Sequence, residues 1–591
     1  MYPTIEDIRK IAAKGQYKRV PVCREVYADR YTPVEAMRTL RKASRHCYLL
    51  ESASQTEVWG RYSFLGYEPT MEITCTDGLM KIRHTEVADK EETVKKVMHP
   101  GDTLREILRE YKSPVIEEMP PFTGGLVGYF SYDYIKYSEP KLKLGEHEDP
   151  DFRDMDLMLF DQVIAFDHYR QKVLLITGVM LDDLENSYQK AEKKLAEMAD
   201  LIRNGEKEEF RPLQLGSTIS PQFPKEKYCK MVEKAKHYIH EGDIFQVVLS
   251  NPMRAKAEGS LFDTYRVLRA TNPSPYMFYF SSDDIEIAGA SPETLVKLED
   301  KKLTTFPLAG TRPRGKTKQE DQELEEGLLK DEKELAEHNM LVDLGRNDIG
   351  RISKIGTVEV EKYMSIEHFS QVMHIGSTVA GELREDKDAI DAVDAILPAG
   401  TLSGAPKFRA WADQAPENGP VYNVLIQNCN YGRVHGCLTL GSESVKDCNI
   451  VLRNTKVGNA QRVLWLKMRP DTPQHYEYVM VDNIQGTTGS FLVIRPWKQF
   501  FKPGDRKDMP LSQCNNITMK NIQMDCDNFF DVGKSEKYRL VDFTFENINC
   551  TDKKMAFDAN LIENTVAKKV NITPREKSNG LKTTGDADGL K

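Results

Sequence analysis

The sequence predicts an α+β fold that is followed by a parallel β-helix, and three observations carry this prediction. Residues 20–180 mix short apolar stretches with turn residues such as Thr76-Asp77-Gly78, which is typical of short strands. Apolar residues then recur at helical spacing within residues 184–202. From about residue 410 a short β-branched phrase that closes with asparagine keeps returning, which is typical of a solenoid of stacked strands.

The helical spacing of Leu184, Tyr188, Leu195, Met198 and Ile202 predicts a helix that ends at Gly205. Residues 206–224 are polar with scattered prolines, which suits a linker or a long loop. The elements expected after this stretch are a helix from about Lys225 to Glu241, a strand over Ile244–Leu249 and a helix from about Gln319 to Leu344.

The repeated phrase closes at Asn428, Asn454, Asn483, Asn521, Asn547 and, more weakly, at Asn571. These asparagines are spaced by 26, 29, 38, 26 and 24 residues. One short strand cannot bury its own apolar face, so neighbouring repeats must stack to form a core. We therefore divide the chain into residues 1–205, a linker 206–224, a domain 225–409, a parallel β-helix 410–571 and a polar tail 572–591 that is expected to be disordered.

Composition excludes several classes of protein. The 591 residues carry a formal net charge of -9 without segregation of the two signs, so the sequence favours neither a nucleic-acid partner nor a membrane surface. Because no apolar run is long enough to span a membrane and the N-terminus lacks a secretory pattern, a cytoplasmic location is expected. None of the ten cysteines forms a Cys-x-x-Cys pair, which argues against a zinc site.

Nine phrases in the first two-thirds of the chain follow one another in a recognisable order. They are Leu49–Ser52, Gly60–Phe64, Gly242–Ser250, Asn272–Phe278, Gly289–Glu293, Pro307–Gly315, Glu337–Asp348, Val372–His374 and Leu402–Lys407. On these motifs, residues 1 to about 409 closely resemble the large, chorismate-using subunit of anthranilate synthase. The resemblance implies a β-sheet sandwich with outer helices, in which 1–205 carries elements of a tryptophan site and 225–409 is the catalytic domain.

The reaction implied by this resemblance joins chorismate and ammonia and releases anthranilate and pyruvate, with Mg²⁺ as the cofactor. Glu337 matches the family's first magnesium-binding glutamate, and hard oxygen ligands suit that ion. Glu334, Glu337, His338 and Leu341 share one face of the expected helix. From the residues alone, this stretch could equally be an ordinary solvated acidic helix.

Four further matches imply catalytic and chorismate-binding roles. Gly310 and Thr311 match the chorismate-contacting pair, although Pro307 and Pro313 also allow the segment to be a simple turn. Glu293 matches a general acid that protonates the leaving hydroxyl; after Ser291-Pro292 it also suits a helix start. His374 matches the family's active-site histidine, whereas an isolated histidine in an apolar setting is more often structural.

Gln246 distinguishes between the reactions of related enzymes, because relatives that add water place a lysine base at this position. A neutral amide cannot deprotonate water, but ammonia is already nucleophilic, so Gln246 favours amination. Glu51, Ser52, Pro275, Tyr276 and Met277 resemble a tryptophan feedback site, or else a strand end and a turn. By resemblance, a separate glutamine amidotransferase subunit supplies the ammonia in a hetero-oligomer.

The resemblance breaks after Arg409. The family pattern continues with a Gly-rich strand pair, an arginine for a chorismate carboxylate, a Gly-Ala-Gly run and a second magnesium-binding glutamate, and the sequence has none of these. We therefore expect the chain to be inactive, since losing a group that stabilises developing charge costs several kcal/mol, on the order of 3.

The repeats resemble the C-terminal half of polygalacturonase-like glycoside hydrolases, which are right-handed parallel β-helices. His435 lies in a Val-His-Gly phrase that matches theirs, and Lys467 matches their lysine, while Trp465 replaces an arginine. Their catalytic aspartates have no counterpart, so this fragment could bind an acidic sugar but not hydrolyse it. A β-helix with no sugar role, and a chain fused or misassembled from two reading frames, are the alternatives.

Overall fold

The computed structural model describes residues 1–52, 60–85, 92–139, 152–240, 244–405, 421–441, 446–468, 474–496, 511–553 and 557–574. The chain divides into two compact units, Met1–Asp413 and Gln414–Lys591. Within the described residues, no helix is long and apolar enough to cross a membrane. The expected tail at 572–591 lies almost wholly outside the described residues.

The first unit contains both helices and strands, so the α+β prediction is confirmed. Its helices are α1 Ile5–Ala12, α2 Pro33–Ala43, α3 Pro100–Glu110, α4 Ile135–Ser138, α5 Leu184–Asn204, α6 Lys225–His240, α7 Phe262–Thr271, α8 Lys318–Leu328, α9 Glu332–Gly350, α10 Ala389–Ile396 and α11 Gly400–Ser403. Its first strands are β1 Arg19–Tyr27, β2 Cys47–Glu51, β3 Tyr62–Tyr67, β4 Met71–Thr76, β5 Leu79–His84, β6 Glu92–Lys96, β7 Gly125–Phe130, β8 Met155–Phe160, β9 Val163–Asp167 and β10 Lys172–Met180. The remaining strands are β11 Gln214–Leu215, β12 Ser220–Pro221, β13 Gln246–Val247, β14 Met253–Arg254, β15 Ala257–Glu258, β16 Tyr276–Ser281, β17 Glu286–Ser291, β18 Lys297–Glu299, β19 Lys302–Thr305, β20 Leu308–Pro313, β21 Glu359–His368, β22 Val372–Glu382 and β23 Gly404–Ala405.

Three antiparallel sheets organise the first unit. The largest has the order β1-β10-β9-β3-β2-β16-β17, and α2, α5 and α7 contribute apolar residues to its core. A second sheet has the order β6-β5-β4-β8-β7. The third runs β18-β19-β22-β20, with β21 also paired to β22, and α9 packs against β20 and β22. This third sheet and α9 carry most of the candidate site.

The structure corrects two of the expected elements. The helix expected at 319–344 is two helices, because Asp331 caps α9 by accepting hydrogen bonds from the backbone N–H groups of Lys333 and Glu334. The strand expected over Ile244–Leu249 is reduced to the two residues of β13, which pair with β23. In contrast, α5 and α6 lie where the helical spacing predicts them.

In the described part of the second unit, the named strands all pair in parallel, and one short 3-10 helix lies at Ala559–Leu561. The strands are β24 Val421–Gln427, β25 Asn430–Tyr431, β26 Leu438–Leu440, β27 Lys446–Met468, β28 His475–Pro496, β29 Ser512–Val532, β30 Tyr538–Asp552 and β31 Val566–Pro574. Apolar residues stack in register between neighbouring strands, as Val479 does on Ile517 and Ile484 does on Ile522. This stacking forms the core that the sequence repeats require. The parallel sheet predicted from those repeats is confirmed.

The repeating asparagines occupy the bends of these long strands. Asn428, Asn454, Asn483, Asn521 and Asn547 are aligned across the sheet, and all have positive φ values, between 53° and 58°. Side chains also join along the column, since the Asn483 amide donates to Asn454 over 2.9 Å. The next aligned position is Lys569, also with positive φ, while Asn571 pairs with Asn549. The assignment of Asn571 to this column is therefore wrong.

Candidate active site

A pocket of about 320 Å³ lies where α9, β20, β22, β13 and α11 approach one another. Its lining residues are Gln246, Leu308, Ala309, Gly310, Thr311, Glu334, Glu337, Leu341, His374 and Thr401. The structure thus brings together five residues that the sequence singled out, although they are spread over more than 120 positions. We take this pocket as the candidate active site.

Gly310 interrupts β20 with a bulge where this strand pairs with β22. Its φ of +65° and the short distance of 3.1 Å from an added Cβ to Ile375 Cδ1 explain why glycine stands here. The bulge directs the Gly310 carbonyl oxygen toward His374, whose Nδ1 lies 3.1 Å away. The sequence alone indicated only a turn at this position.

His374 is held by two neighbours. Its Nδ1 also lies 3.1 Å from the Thr311 hydroxyl, so the nitrogen that faces Gly310 and Thr311 carries the proton. Burial lowers the pKa of His374 below its usual value, although the contact with Gly310 opposes that shift. The ring is therefore neutral near pH 7, with Nε2 as its basic nitrogen.

Glu337 and Gln246 are in contact within the same pocket. The Gln246 amide donates a hydrogen bond of 3.2 Å to Glu337 Oε1. Its amide oxygen is buried and has no hydrogen-bond partner among the described residues. Glu334, one turn before Glu337 on α9, also lines the pocket, and its carboxylate lies 3.7 Å from the Arg312 guanidinium.

Glu293 follows β17 and does not line the pocket itself. Thr401, which does, donates a hydrogen bond of 3.1 Å to Glu293 Oε1. Burial raises the pKa of Glu293 to about 7, and the Thr401 hydroxyl opposes this rise. A carboxyl group with such a pKa is partly protonated at neutral pH, which a general acid requires.

The comparisons with known proteins agree with this geometry. A family model described as chorismate binding enzyme matches residues 14–412. Anthranilate synthase component 1 of Acetivibrio thermocellus is 40% identical over 465 residues, which covers 76% of this chain and 91% of the relative. The chain belongs to the chorismate-binding enzyme family. Anthranilate synthase component 1 of Acinetobacter calcoaceticus is 42% identical over 75% of this chain and 89% of the relative.

A solved structure places this chorismate-binding enzyme in the same fold. The crystal structure of anthranilate synthase component I from Streptococcus pneumoniae TIGR4 has a TM-score of 0.51 and 40% sequence identity. The match covers 59% of this chain and 75% of that structure.

The pocket residues fit the magnesium ion that the resemblance implies. No group of three or more His, Cys, Asp or Glu side chains is gathered for a metal in the described part of the chain. Magnesium, however, is commonly held by one or two carboxylates together with substrate groups and water. Glu337, with Glu334 and the unpartnered oxygen of Gln246 beside it, supplies hard oxygen donors of this kind.

The residues expected to form a tryptophan site lie away from the pocket. Glu51 and Met277 face each other across the paired strands β2 and β16. The buried Glu51 carboxylate accepts hydrogen bonds from Tyr265 over 2.7 Å and from Arg269 over 2.8 Å. The negative charge of Glu51 is therefore already balanced by the Arg269 guanidinium. Ser52 directly follows β2 and Pro275 directly precedes β16, so both stand at strand ends beside this pair.

Tyr276 connects that region to the candidate acid. Its hydroxyl lies 2.5 Å from Thr294 Oγ1, and Thr294 is the residue after Glu293. A larger pocket of about 510 Å³, next to Glu51, is lined by Ala28, Tyr31, Thr32, Pro33, Val34, Phe166, Asp167, His168, Gln171, Arg266 and Arg269. Sequence reasoning named none of these lining residues.

Thr401 carries no sequence signal, because its role depends on contact with a distant glutamate. Glu334 is indicated only by its spacing from Glu337, since residues three apart share a helix face. Leu308 and Ala309 also line the pocket, and in the sequence they stand out only as part of the phrase Pro307–Gly315.

Lys467 lies in β27 and His435 lies between β25 and β26, and both side chains are close to Trp465. The Lys467 ammonium is 4.6 Å from the centroid of the Trp465 ring, and the guanidinium of Arg462 is 4.2 Å from it. The His435 ring also packs near Trp465, with centroids 5.7 Å apart, and its Nε2 lies 2.8 Å from Arg462. The four side chains therefore form one basic and aromatic cluster, in which Arg462 was not expected.

Proposed function

We propose that the first unit is an anthranilate synthase component 1, a lyase that converts chorismate and ammonia to anthranilate and pyruvate in tryptophan biosynthesis. Its relatives of that name, about 40% identical to it, support this proposal most directly. Gln246 at the pocket supports amination over hydration, because it provides no base that could activate water.

Four residues in or beside the pocket have a place in this chemistry. Glu293, with a pKa of about 7, donates its proton to the leaving ring hydroxyl, which departs as water while ammonia adds to the ring. Glu337 would hold a magnesium ion, which would supply Lewis-acid assistance to the departure of that hydroxyl. Thr311 donates a hydrogen bond to a substrate carboxylate, and the basic Nε2 of His374 accepts a proton when pyruvate is eliminated.

The wider arrangement follows from the same assignment. Relatives named component 1 imply a second component, and we propose that it is a glutamine amidotransferase that delivers ammonia in a cytoplasmic hetero-oligomer. We further propose that tryptophan inhibits the enzyme at Glu51, Ser52 and the Pro275–Met277 segment. The hydrogen bond between the Tyr276 and Thr294 hydroxyls, beside Glu293, supports a connection between that region and catalysis.

Turnover by this chain is expected to be very low. The described residues that line the pocket include two glutamates but no lysine or arginine to meet the two carboxylates of chorismate. Beside the pocket, Phe245 is 71% exposed although it adjoins the short strand β13. Both observations support an active site that lacks part of the structure its family uses.

Chorismate binding and anthranilate formation test the proposal separately. We expect calorimetry to detect chorismate binding only with magnesium, and we expect Glu337→Gln to abolish it. Glu332→Gln, at an exposed position of the same helix, is the matched control. Anthranilate fluorescence should stay near background with ammonium; a rate typical of a working enzyme would show that the site is complete. If chorismate binds equally well without magnesium and to the Glu337→Gln variant, the assignment is refuted.

For the second unit we propose a right-handed parallel β-helix that binds acidic polysaccharide of the pectin type. The cluster of His435, Arg462, Trp465 and Lys467 supports this, because cations beside an aromatic ring suit the carboxylates and apolar faces of uronic acids. In affinity electrophoresis, polygalacturonate should retard the chain and a neutral glucan should not. Trp465→Ala should remove the retardation, while Tyr478→Asn, at an exposed aromatic position, should keep it.

We infer that the two units derive from unrelated sequences. The match to the family model spans residues 14–412, the first compact unit ends at Asp413, and antiparallel sheets give way to a parallel one, while the alignment with the Acetivibrio thermocellus relative covers 76% of the chain. Amplifying and sequencing genomic DNA across the codons for residues 400–420 tests the origin of this join. A continuous natural read there would establish a true fusion, and a discontinuity would show a misassembled frame.

A further inference from the structure

His338 follows Glu337 in α9 but does not line the pocket. Its side chain is 0% exposed, and its Nε2 lies 2.6 Å from the Ser377 hydroxyl of β22. The other ring nitrogen, Nδ1, is buried and has no hydrogen-bond partner in the described part of the chain. The contact with Ser377 is therefore the polar interaction that orients this ring.

The Ser377 hydroxyl joins three elements. It accepts a hydrogen bond of 3.0 Å from the backbone N–H of Met364 in β21, where φ is +50°. Because the oxygen already accepts there, its own proton is free to point at His338 Nε2. Ser377 also lies three residues after His374 in β22. One hydroxyl thus ties the helix that carries Glu337 to the strand that carries His374.

The hydrogen bond between His338 and Ser377 fixes the orientation of α9 in a way that the surrounding apolar contacts do not. Apolar contacts between α9 and β22, as in the cluster that holds Val342 and Val379, are not directional and tolerate small rotations of the helix. A hydrogen bond of 2.6 Å fixes both the rotation and the height of α9 at residue 338. Glu337 is the adjacent residue, so the backbone position from which its side chain reaches the pocket is fixed with it, and the Gln246 amide then holds the carboxylate.

We propose that His338 and Ser377 are positioning residues that set the Glu337 carboxylate against His374 and Gly310 for magnesium and chorismate. This inference rests on the proposed function of the pocket. Neither residue touches the ligands; both act through Glu337. Groups that orient a metal-binding side chain in this way typically contribute about 10-fold or more to metal affinity.

Chorismate-dependent binding of Mn²⁺, followed by electron paramagnetic resonance, measures this effect without turnover. We expect Ser377→Ala and His338→Leu each to weaken Mn²⁺ binding about 10-fold, with no further loss in the double variant. His338→Gln should restore affinity, since its amide oxygen can accept the Ser377 proton at a similar reach. Val342→Ala, which loosens the same helix without touching the pair, should lower the melting temperature and leave Mn²⁺ affinity nearly unchanged.

The outcomes separate this inference from the proposed function. If the parent chain binds Mn²⁺ with chorismate and Glu337→Gln removes that binding, the pocket assignment stands. Unchanged affinity in Ser377→Ala and His338→Leu then refutes the positioning role alone, as would an equal loss in Val342→Ala. If the parent chain shows no chorismate-dependent Mn²⁺ binding, the metal site and the positioning role are both refuted.

Discussion

Replacing Glu293 by glutamine should make the first unit more stable at alkaline pH and leave it unchanged at acid pH. Burial raises the pKa of Glu293 from its ordinary 4.5 to about 7. Below pH 4.5 the carboxyl group is neutral in both folded and unfolded chains. As the pH rises from 4.5 to 7, the unfolded chain ionises and the folded chain does not, so the parent protein loses stability.

The size of this loss follows from the two pKa values. A carboxyl group that titrates near pH 7 rather than 4.5 forfeits about 3 kcal/mol of folding free energy once the pH exceeds 7. The amide in Glu293→Gln is isosteric, does not titrate, and still accepts the hydrogen bond from Thr401. The variant should therefore equal the parent near pH 4 and exceed it by about 3 kcal/mol near pH 8.

Urea unfolding between pH 4 and pH 8, followed by pulsed hydrogen exchange and mass spectrometry, measures the difference in the first unit. Peptides from β16 to β20 report the region around Glu293. Glu299→Gln, at an exposed position on β18, controls for the loss of an acidic side chain. If the stability difference between Glu293→Gln and the parent does not grow with pH, Glu293 is not a buried acid and its proposed role fails.

Three other predictions concern single contacts. The Asp394 carboxylate lies 3.1 Å from His99 and raises the pKa of that histidine. The contact should therefore stabilise the protein below pH 6.5, and this stabilisation should be lost as the pH rises through the raised pKa. Asp394→Asn should remove this pH dependence from melting curves measured at different pH values. Asn483→Ala should cost about 1 kcal/mol in urea unfolding because of its positive φ, and Asn483→Gly should cost less. Gly310→Ala should weaken chorismate binding in calorimetry and lower the melting temperature, since its Cβ would press on Ile375.

Sequence patterns predicted the elements whose signal is local. The apolar spacing within residues 184–202 gave α5, and the boundaries expected for α6 agree with the structure within one residue. The division between α8 and α9 had a local signal as well, since Asp331 followed by Glu334 has the form of a helix cap. That signal was hidden because it lies within a long acidic and apolar stretch that is helical on both sides.

Elements that depend on distant partners could not be predicted in the same way. Residues 244–249 have strong strand propensity, but only Gln246–Val247 finds a paired strand, at Gly404–Ala405. The asparagine column shows the same limit. The sequence repeat puts the last member of the column at Asn571, whereas the register of β30 with β31 puts Lys569 at that position. A lysine with positive φ carries no sequence signal, because the register of the stack imposes that conformation.

In the candidate site, some features have a local sequence signal and others depend on residues that are distant in the chain. Motifs indicated Gln246, Gly310, Glu337 and His374 one at a time, and only the packing of α9 on the third sheet shows that they share a pocket. The packing also reveals a charge imbalance that the motifs do not show. Glu334 and Glu337 give the described lining a negative character, and chorismate brings two more carboxylates. Because like charges at close range repel, a cation beside Glu337 is expected to favour entry of the anionic substrate, since the nearby Arg312 guanidinium, 3.7 Å away, pairs with Glu334. The magnesium ion proposed for Glu337 would then serve substrate binding as well as chemistry, so Glu337→Gln is expected to weaken both.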